Sequence, residues 1–373
     1  MITAKFGGTA ITPQNLHCLK SILTPQHNVV VVSAIGKCHP NDIKTTDLLA
    51  IYYNTHDKQI WQTICQRYRN LVQSNQIDMD IDRLLFDAHS RALKFNLDYC
   101  MSVGEELSAK VVANYLGATY IEAQDVICFD KHGLMLNKTI SRLKVAIRGA
   151  KLAVIGGFYG GCANTRKTFS RGGSDVTASI CALATGATVC QNWTDVNGVC
   201  QANPNEVSGA KTLTHLSYNQ MYKLASSGAG VLHADAIKPL QKQGIPLVIG
   251  NYLSPNGPKT VVSNKANTQS LLCVTQRKDK CNFVATVVHN MPKAEVHNKL
   301  NNLLDILKTH HVPRKNANFC QQLPTKPSDF CTQLPTNTPI LLVCNKPHFL
   351  TIVSNANIIH QIFDIFNNNL QSR

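Results

Sequence analysis

Two apolar runs in this chain each end in a pair of glycines: Ile2-Thr3-Ala4-Lys5-Phe6 before Gly7-Gly8, and Leu152-Ala153-Val154-Ile155 before Gly156-Gly157. A strand that stops at a glycine turn bares backbone N–H groups at its end, and in open α/β sheets that is where ligands dock. Further strands are expected at Asn28–Ala34, a β-branched run bounded by polar residues, at Ala187–Trp193 and at Ile245–Ile249. Helical patterns stand between them, from Thr45, around Val111 to Leu116, from Val176 to Ala187, from Ser217 to Ser226 and up to Gln243. Strands alternating with helices predict a doubly wound α/β domain over residues 1–264. At 373 residues and 41.0 kDa the chain is too long for one ordinary core.

A third glycine pair begins a helix instead of ending a strand, in Arg171-Gly172-Gly173-Ser174-Asp175. Ser174 or Asp175 is expected to cap that helix, whose first turn offers unpaired donors to a small anion. The helix end contributes about 0.3–1 kcal/mol toward an anion, whereas a forked arginine–carboxylate contact contributes about 1.5–3 kcal/mol, so Arg171 would decide which ligand binds. For those five residues alone the plainer reading is a capped turn with a surface arginine, and only the neighbouring motifs argue against it. Lys5 beside Gly7 and Gly8 lacks the spacing of a Walker loop but offers the same means of holding phosphate. Ser102 to Ser108 precedes Val111, Val112 and Leu116, a pattern that places Glu105 near a helix start. There a carboxylate is favoured without any ligand, so a helix-stabilising Glu is the plainer reading; the functional one is an anion placed to grip an ammonium.

The net charge is 37 − 22 = +15. The basic residues are spread and carry no helix-turn-helix or aromatic-interleaved motif, which argues for a basic solvated surface and against a nucleic-acid partner. No run approaches a membrane span and Met1 to Phe6 lacks the apolar stretch of a signal peptide, so a cytosolic protein with no membrane partner is expected. The fourteen cysteines show no C-x-x-C pair and are expected to be reduced. Beyond Lys265 the texture turns to Asn, Thr, Pro and Lys, with a short repeat at Phe319–Thr325 and Phe330–Thr336. Strands at Phe283–Val288, Pro339–Cys344 and Phe349–Val353 and helices at Lys293–Lys308 and Asn355–Phe366 read as a small α+β module over 265–373.

Lys-Phe-Gly-Gly-Thr from Lys5, Val-Val-Ser-Ala to Ala34, Thr-Asp-Leu-Leu from Thr46, Ser-x-Gly-Glu-x-x-Ser from Ser102, Gly-Gly-Phe-Tyr-Gly from Gly156, Arg-Gly-Gly-Ser-Asp from Arg171 and Trp-Thr-Asp-Val-Asn-Gly-Val from Trp193 stand in this order. Together they closely resemble aspartate kinase, over Met1 to about Asn264. The resemblance implies an amino-acid-kinase-type sandwich followed by ACT-type modules, for which roughly a hundred residues leave room for a short or degenerate one. It implies MgATP, with the metal carried by the nucleotide, and phosphorylation of the side-chain carboxylate of L-aspartate on the route to lysine, threonine and methionine. Lys5 would neutralise the transferring phosphoryl group and the Gly7 and Gly8 amides would hold it, while Asp175 orients Lys5. Glu105 would take the substrate ammonium and Arg171 its α-carboxylate, with Thr46 and Ser174 alongside; Thr194 and Asp195 would line the nucleotide. A homodimer and a lysine or threonine effector are also expected.

The chain departs from the family at Ala10, at Cys200, at Asn203-Pro204-Asn205 in place of the common Asp-Pro-Arg, and at Gly230, where many members have lysine. Loss of the arginine leaves an alternative open: a catalytically impaired regulatory paralogue that binds an amino acid but ATP only poorly. Another basic residue, such as Lys211, could substitute.

Overall fold

The computed structural model describes residues 1–264 except 40, 171, 205, 206, 208 and 227–229, and beyond them the strands 272–279, 282–289, 342–346 and 349–354. The chain divides into two units, Met1–Gly198 with Val231–Asn264, and Val199–Gly230 with Lys265–Arg373.

The first unit begins with β1 (Ile2–Phe6), α1 (His17–Ile22), β2 (His27–Val32), α2 (Thr45–Thr55), α3 (Lys58–Ser74), α4 (Ile81–Ala92) and α5 (Leu97–Leu116). It continues through β3 (Thr119–Ile121), α6 (Ala123–Val126), β4 (Cys128–Asp130), β5 (Gly133–Leu134), α7 (Leu136–Ile147) and β6 (Ala153–Gly156). After these come β7 (Tyr159–Cys162), β8 (Thr165–Thr168), α8 (Gly173–Thr185) and β9 (Val189–Thr194). The second unit contributes β10 (His215–Ser217) and α9 (Tyr218–Ser226); the first resumes with α10 (Ile237–Gln243), β11 (Leu247–Asn251) and β12 (Thr260–Ser263).

Seven strands of the first unit run in the order β12-β11-β9-β1-β2-β6-β3 within one sheet, parallel to one another except for the antiparallel β12. Its centre reads as an unbroken apolar run, Val29 to Val32, because both faces are covered. The period of two then sorts side chains between those faces. Ala4, Phe6, Val30, Val32 and Val154 join the core built with Tyr52, Trp61, Tyr68, Val103 and Leu107 of α2, α3 and α5. Lys5, Val29, Val31 and Ile155 occupy alternate positions on the same strands, on the face against which α8 packs. Helices on both faces make the sheet doubly wound. The chain returns from β6 on one side of β1 to β9 on the other through α8, so the strand order switches at β1.

A smaller sheet, β5-β4-β7-β8, takes β4 and β5 from before β6 and β7 and β8 from after it. The Gly156–Gly161 segment, read from sequence as one turn, is thus a strand end, a two-residue turn and the start of β7. In that turn Phe158 has φ 76°, a left-handed conformation costly for a bulky residue. The second unit contains a four-stranded antiparallel sheet of β13 (Leu272–Asp279), β14 (Asn282–His289), β15 (Leu342–Lys346) and β16 (Phe349–Ser354), in the order β13-β14-β16-β15. The helices expected at Lys293–Lys308 and Asn355–Phe366 and the repeat at 319–336 lie outside the described residues. No helix among the described residues is long and apolar enough to cross a membrane.

The end of β6 shows why two glycines stand there. A Cβ on Gly156 would lie 3.0 Å from the Glu105 carbonyl oxygen of α5, and one on Gly157 would lie 2.6 Å from Cα, Cβ and Oγ of Ser174 in α8. Two helices thus reach the same strand end from opposite faces. Gly157→Ala should destabilise the protein by about 1–3 kcal/mol through this overpacking, read as a lower urea midpoint at unchanged m-value.

Candidate active site

Lys5 lies one residue before the end of β1, on the α8 face, with Nζ 2.9 Å from Asp175 Oδ1. The two side chains are 12% and 11% exposed. The second carboxylate oxygen of Asp175 accepts the His233 N–H at 3.0 Å. Asp175 therefore orients the lysine and does not cap the helix. The N-cap position of α8 is Gly172, with φ 58° and no side-chain cap. Ser174 does not cap either, because its hydroxyl is taken by Ser33 Oγ at 3.0 Å, just beyond β2. The N–H groups of Asp175 and Val176 go to the Gly172 carbonyl, so an α8 start without a side-chain cap leaves those of Gly173 and Ser174 for an anion. Gly7, by contrast, gives its N–H to the Trp193 carbonyl at 3.2 Å, extending the β1–β9 ladder, so of that pair Gly8 is the residue left to offer an amide.

Glu105 is in the middle of α5, not near its start. The helix is capped by Asn96, whose side chain accepts the Tyr99 N–H, so it begins well before the Ser102–Ser108 motif. The stabilisation expected from a helix N-terminus is therefore absent at Glu105. Its residue is 4% exposed, the Ala34 N–H bonds its carboxylate, and Oε2 has no partner among the described residues. Burial, only partly offset by that bond, pushes the carboxyl up to about 8. Gly104 brings α5 close to the β2 exit and to α2, since a Cβ there would stand 2.8 Å from Ala34 Cβ and 3.5 Å from Thr45 Cγ2. Thr46 follows on the first turn of α2, half-buried. The serines of the motif are structural: Ser102 donates to the Tyr99 carbonyl, and Ser108 meets Tyr68, whose hydroxyl donates to the Gly104 carbonyl.

Across β1, Thr194 ends β9, and its hydroxyl donates to Asp195 at 3.1 Å. The turn after Gly8 is pinned by residues the sequence did not single out. Tyr252 Oη and Asn15 Nδ2 both donate to the Thr9 carbonyl, at 3.0 and 2.8 Å. Lys5, Gly8, Ser174, Asp175 and Glu105 thus meet around the ends of β1, β2 and β6, with Thr194 and Asp195 at the end of β9 next door. Arg171 lies outside the described residues; Gly172 beside it is close-packed on His233. His233, Ser33 and Ala34 carried the faintest signal, Ser33 and Ala34 within Val-Val-Ser-Ala and His233 only as a segment end.

The raised carboxyl of Glu105 has a signed consequence for stability. Its folded pKa lies above the unfolded value of 4.5, so its contribution is complete below pH 4.5 and is lost as pH rises through about 8. Ligand-free wild type should lose stability relative to Glu105→Gln across that window, at about 1.4 kcal/mol per pH unit, in urea melts run at several pH values.

The amino acid kinase family model matches residues 1–251. Aspartokinase 3 of Bacillus subtilis is 31% identical over 294 residues, covering 72% of this chain and 65% of that protein. The aspartokinase of Chlamydia muridarum is 26% identical over 269 residues, 66% of this chain and 60% of that one. The chain therefore spans just under two thirds of the length of these curated relatives. Among solved structures, Clostridium acetobutylicum aspartate kinase matches with TM-score 0.69 and 27% identity, over all of this chain and 82% of that one. E. coli aspartokinase III in complex with aspartate and ADP matches with TM-score 0.73 over the whole of both chains, at 19% identity a likeness of fold. The strand order, the helix starts around β1 and these likenesses agree, and the chain belongs to the amino acid kinase family.

Proposed function

We propose that the chain is an aspartate kinase that moves the γ-phosphoryl group of MgATP to the side-chain carboxylate of L-aspartate, giving 4-phospho-L-aspartate and ADP. The observation that carries this reading is the unpartnered, buried Oε2 of Glu105 close to the Lys5–Asp175 pair: an ammonium acceptor beside a cation suited to phosphate. An amino acid is held by one anionic and one cationic grip, Glu105 for the ammonium and Arg171 for the α-carboxylate. Thr46 and Ser174 hydrogen-bond alongside.

That leaves the second carboxylate free. It is ionised at neutral pH, with an ordinary pKa of about 3.9, so attack needs no general base. One of its oxygens forms the new bond to the γ-phosphorus as the bridging P–O bond breaks and ADP leaves with the electron pair. The protein supplies positioning and charge: Lys5, the Gly8 amide and the α8 start face the phosphoryl oxygens, and Thr194 and Asp195 line the nucleotide. Magnesium carried by the phosphates supplies further positive charge, and Asp195 is the kind of oxygen donor it takes. The paralogue reading rests on Asn205, outside the described residues. The intact Lys5–Asp175 pair favours catalysis. Residues 265–373 are assigned as an ACT-like regulatory or dimerisation module, supported by the antiparallel sheet β13-β14-β16-β15.

A coupled assay should show aspartate-dependent ADP formation. Lys5→Met should lower kcat by about 10²–10³ with little change in the KM for aspartate, while Arg171→Ala should raise that KM. Lysine and threonine titrated into the same assay test the effector role. Because Glu105 must ionise to meet the ammonium, aspartate binding at pH 7 should release about one proton, read by calorimetry in buffers of different ionisation enthalpy. Equal heats in all buffers would count against Glu105 as the ammonium site.

A further inference from the structure

Arg166 of β8 is the bulkiest of the fully buried side chains among the described residues, at 1% exposure. Nothing in the phosphoryl transfer uses it, yet every face of its guanidinium is engaged. Nη1 lies 2.7 Å from Glu106 Oε2 and donates to Ser102 Oγ at 3.1 Å. Nε donates to Gln124 Oε1 at 2.8 Å, and Nη2 meets Glu122 Oε2 at 3.2 Å. The rings of Tyr99 and Tyr159 flank it, with centroids 4.4 and 4.6 Å away.

Glu106 is wholly buried and also meets Arg91 Nη2 at 2.9 Å and Lys110 Nζ at 2.6 Å. Glu122 accepts the hydroxyls of Tyr120 and Tyr159, each at 2.7 Å. Two outer bonds run along the same seam, Thr165 Oγ1 to Asn96 and Thr168 Oγ1 to Asp98. β8 is therefore pinned to α5 at three of its four residues.

Apolar packing would hold a strand on a helix as firmly, since replacing a buried ion pair by well-packed hydrophobic residues is often neutral or stabilising. A planar fork with a partner at each of its three nitrogens adds something apolar contact lacks, a single register. Glu106 is the residue after Glu105, so any rotation or slide of α5 that disturbs one carboxylate moves the other. The far side of the seam leads from β8 into Gly172 and α8, which carry Ser174 and Asp175. We propose that Arg166 is a positioning residue for the amino-acid half of the site, fixing the Glu105 carboxylate of α5 relative to the start of α8 through its ion pair with Glu106. This rests on the aspartate kinase reading of the same site.

The test is steady-state kinetics and thermal melting of the full chain for Arg166→Met, Arg166→Lys and the paired Glu106→Gln/Arg166→Met, with Glu105→Gln as control. Arg166→Met should raise the KM for aspartate by about tenfold to a hundredfold, the scale set by ångström misplacement, with the KM for ATP within about twofold. Arg166→Lys should recover part of that loss. Should Arg166→Met fail to fold because Glu106 is left short of its partner, the paired variant, which removes both charges, should show the same split. Folded variants with wild-type KM for aspartate, with both KM values raised together, or with only a lower Tm would overturn the proposal. So would failure of both methionine variants to fold alongside a wild-type KM in Arg166→Lys. If wild type shows no aspartate turnover, the kinase reading itself falls. Normal wild-type turnover with an unmoved KM in the variants removes only the positioning role.

Discussion

The contact between Lys5 and Asp175 ties the central strand to the one helix that carries the chain across it. At this depth a lone ammonium or carboxylate is expensive, and each is tolerable because the other stands 2.9 Å away. The pair also fixes two things needed nearby. It sets the lysine amine next to the glycine turn, where a Cβ on Gly7 would lie 3.9 Å from Nζ. And it settles the start of α8, whose Asp175 is braced from the far side by the His233 backbone. A negative ligand can share the lysine without dismantling the pair, since the carboxylate keeps that second donor.

The rest of the site follows from the pleat. Because successive residues of a strand face opposite ways, neighbouring glycines at the end of β6 admit α5 on one side and α8 on the other. Glu105 and the Lys5–Asp175 pair thus come from different layers of the molecule and meet only at the strand ends. A strongly basic chain, at +15, supplies a field that draws anionic ligands toward such an edge.

Much of this was legible in the chain. Valine runs and glycine pairs gave the alternating architecture, and Lys5 and Asp175 proved to be partners although they stand 170 positions apart. What escaped was of two kinds. Local starts were misplaced: the cap of α5 is Asn96, and a polar residue followed by Leu97 is a weaker cue than the Ser102 motif that drew the eye. The same bias assigned Ser174 and Asp175 to a cap, when distant partners had claimed them. Long-range closure was the other. Ser33 to Ser174, Tyr252 to Thr9 and the many bonds of Arg166 join segments whose spacing carries no period, so no local pattern announces them. The Gly7 amide belongs here too, since only the neighbouring strand reveals that it is already spent.

The depth of Glu105 has one more consequence. With its carboxyl pushed up to about 8 by burial, Glu105 is mostly an uncharged acid at neutral pH in the ligand-free protein. Sodium, potassium or a stray lysine finds no negative charge there to neutralise. A cation meeting this carboxylate has to displace a proton first, and the cost of that exchange is set by burial.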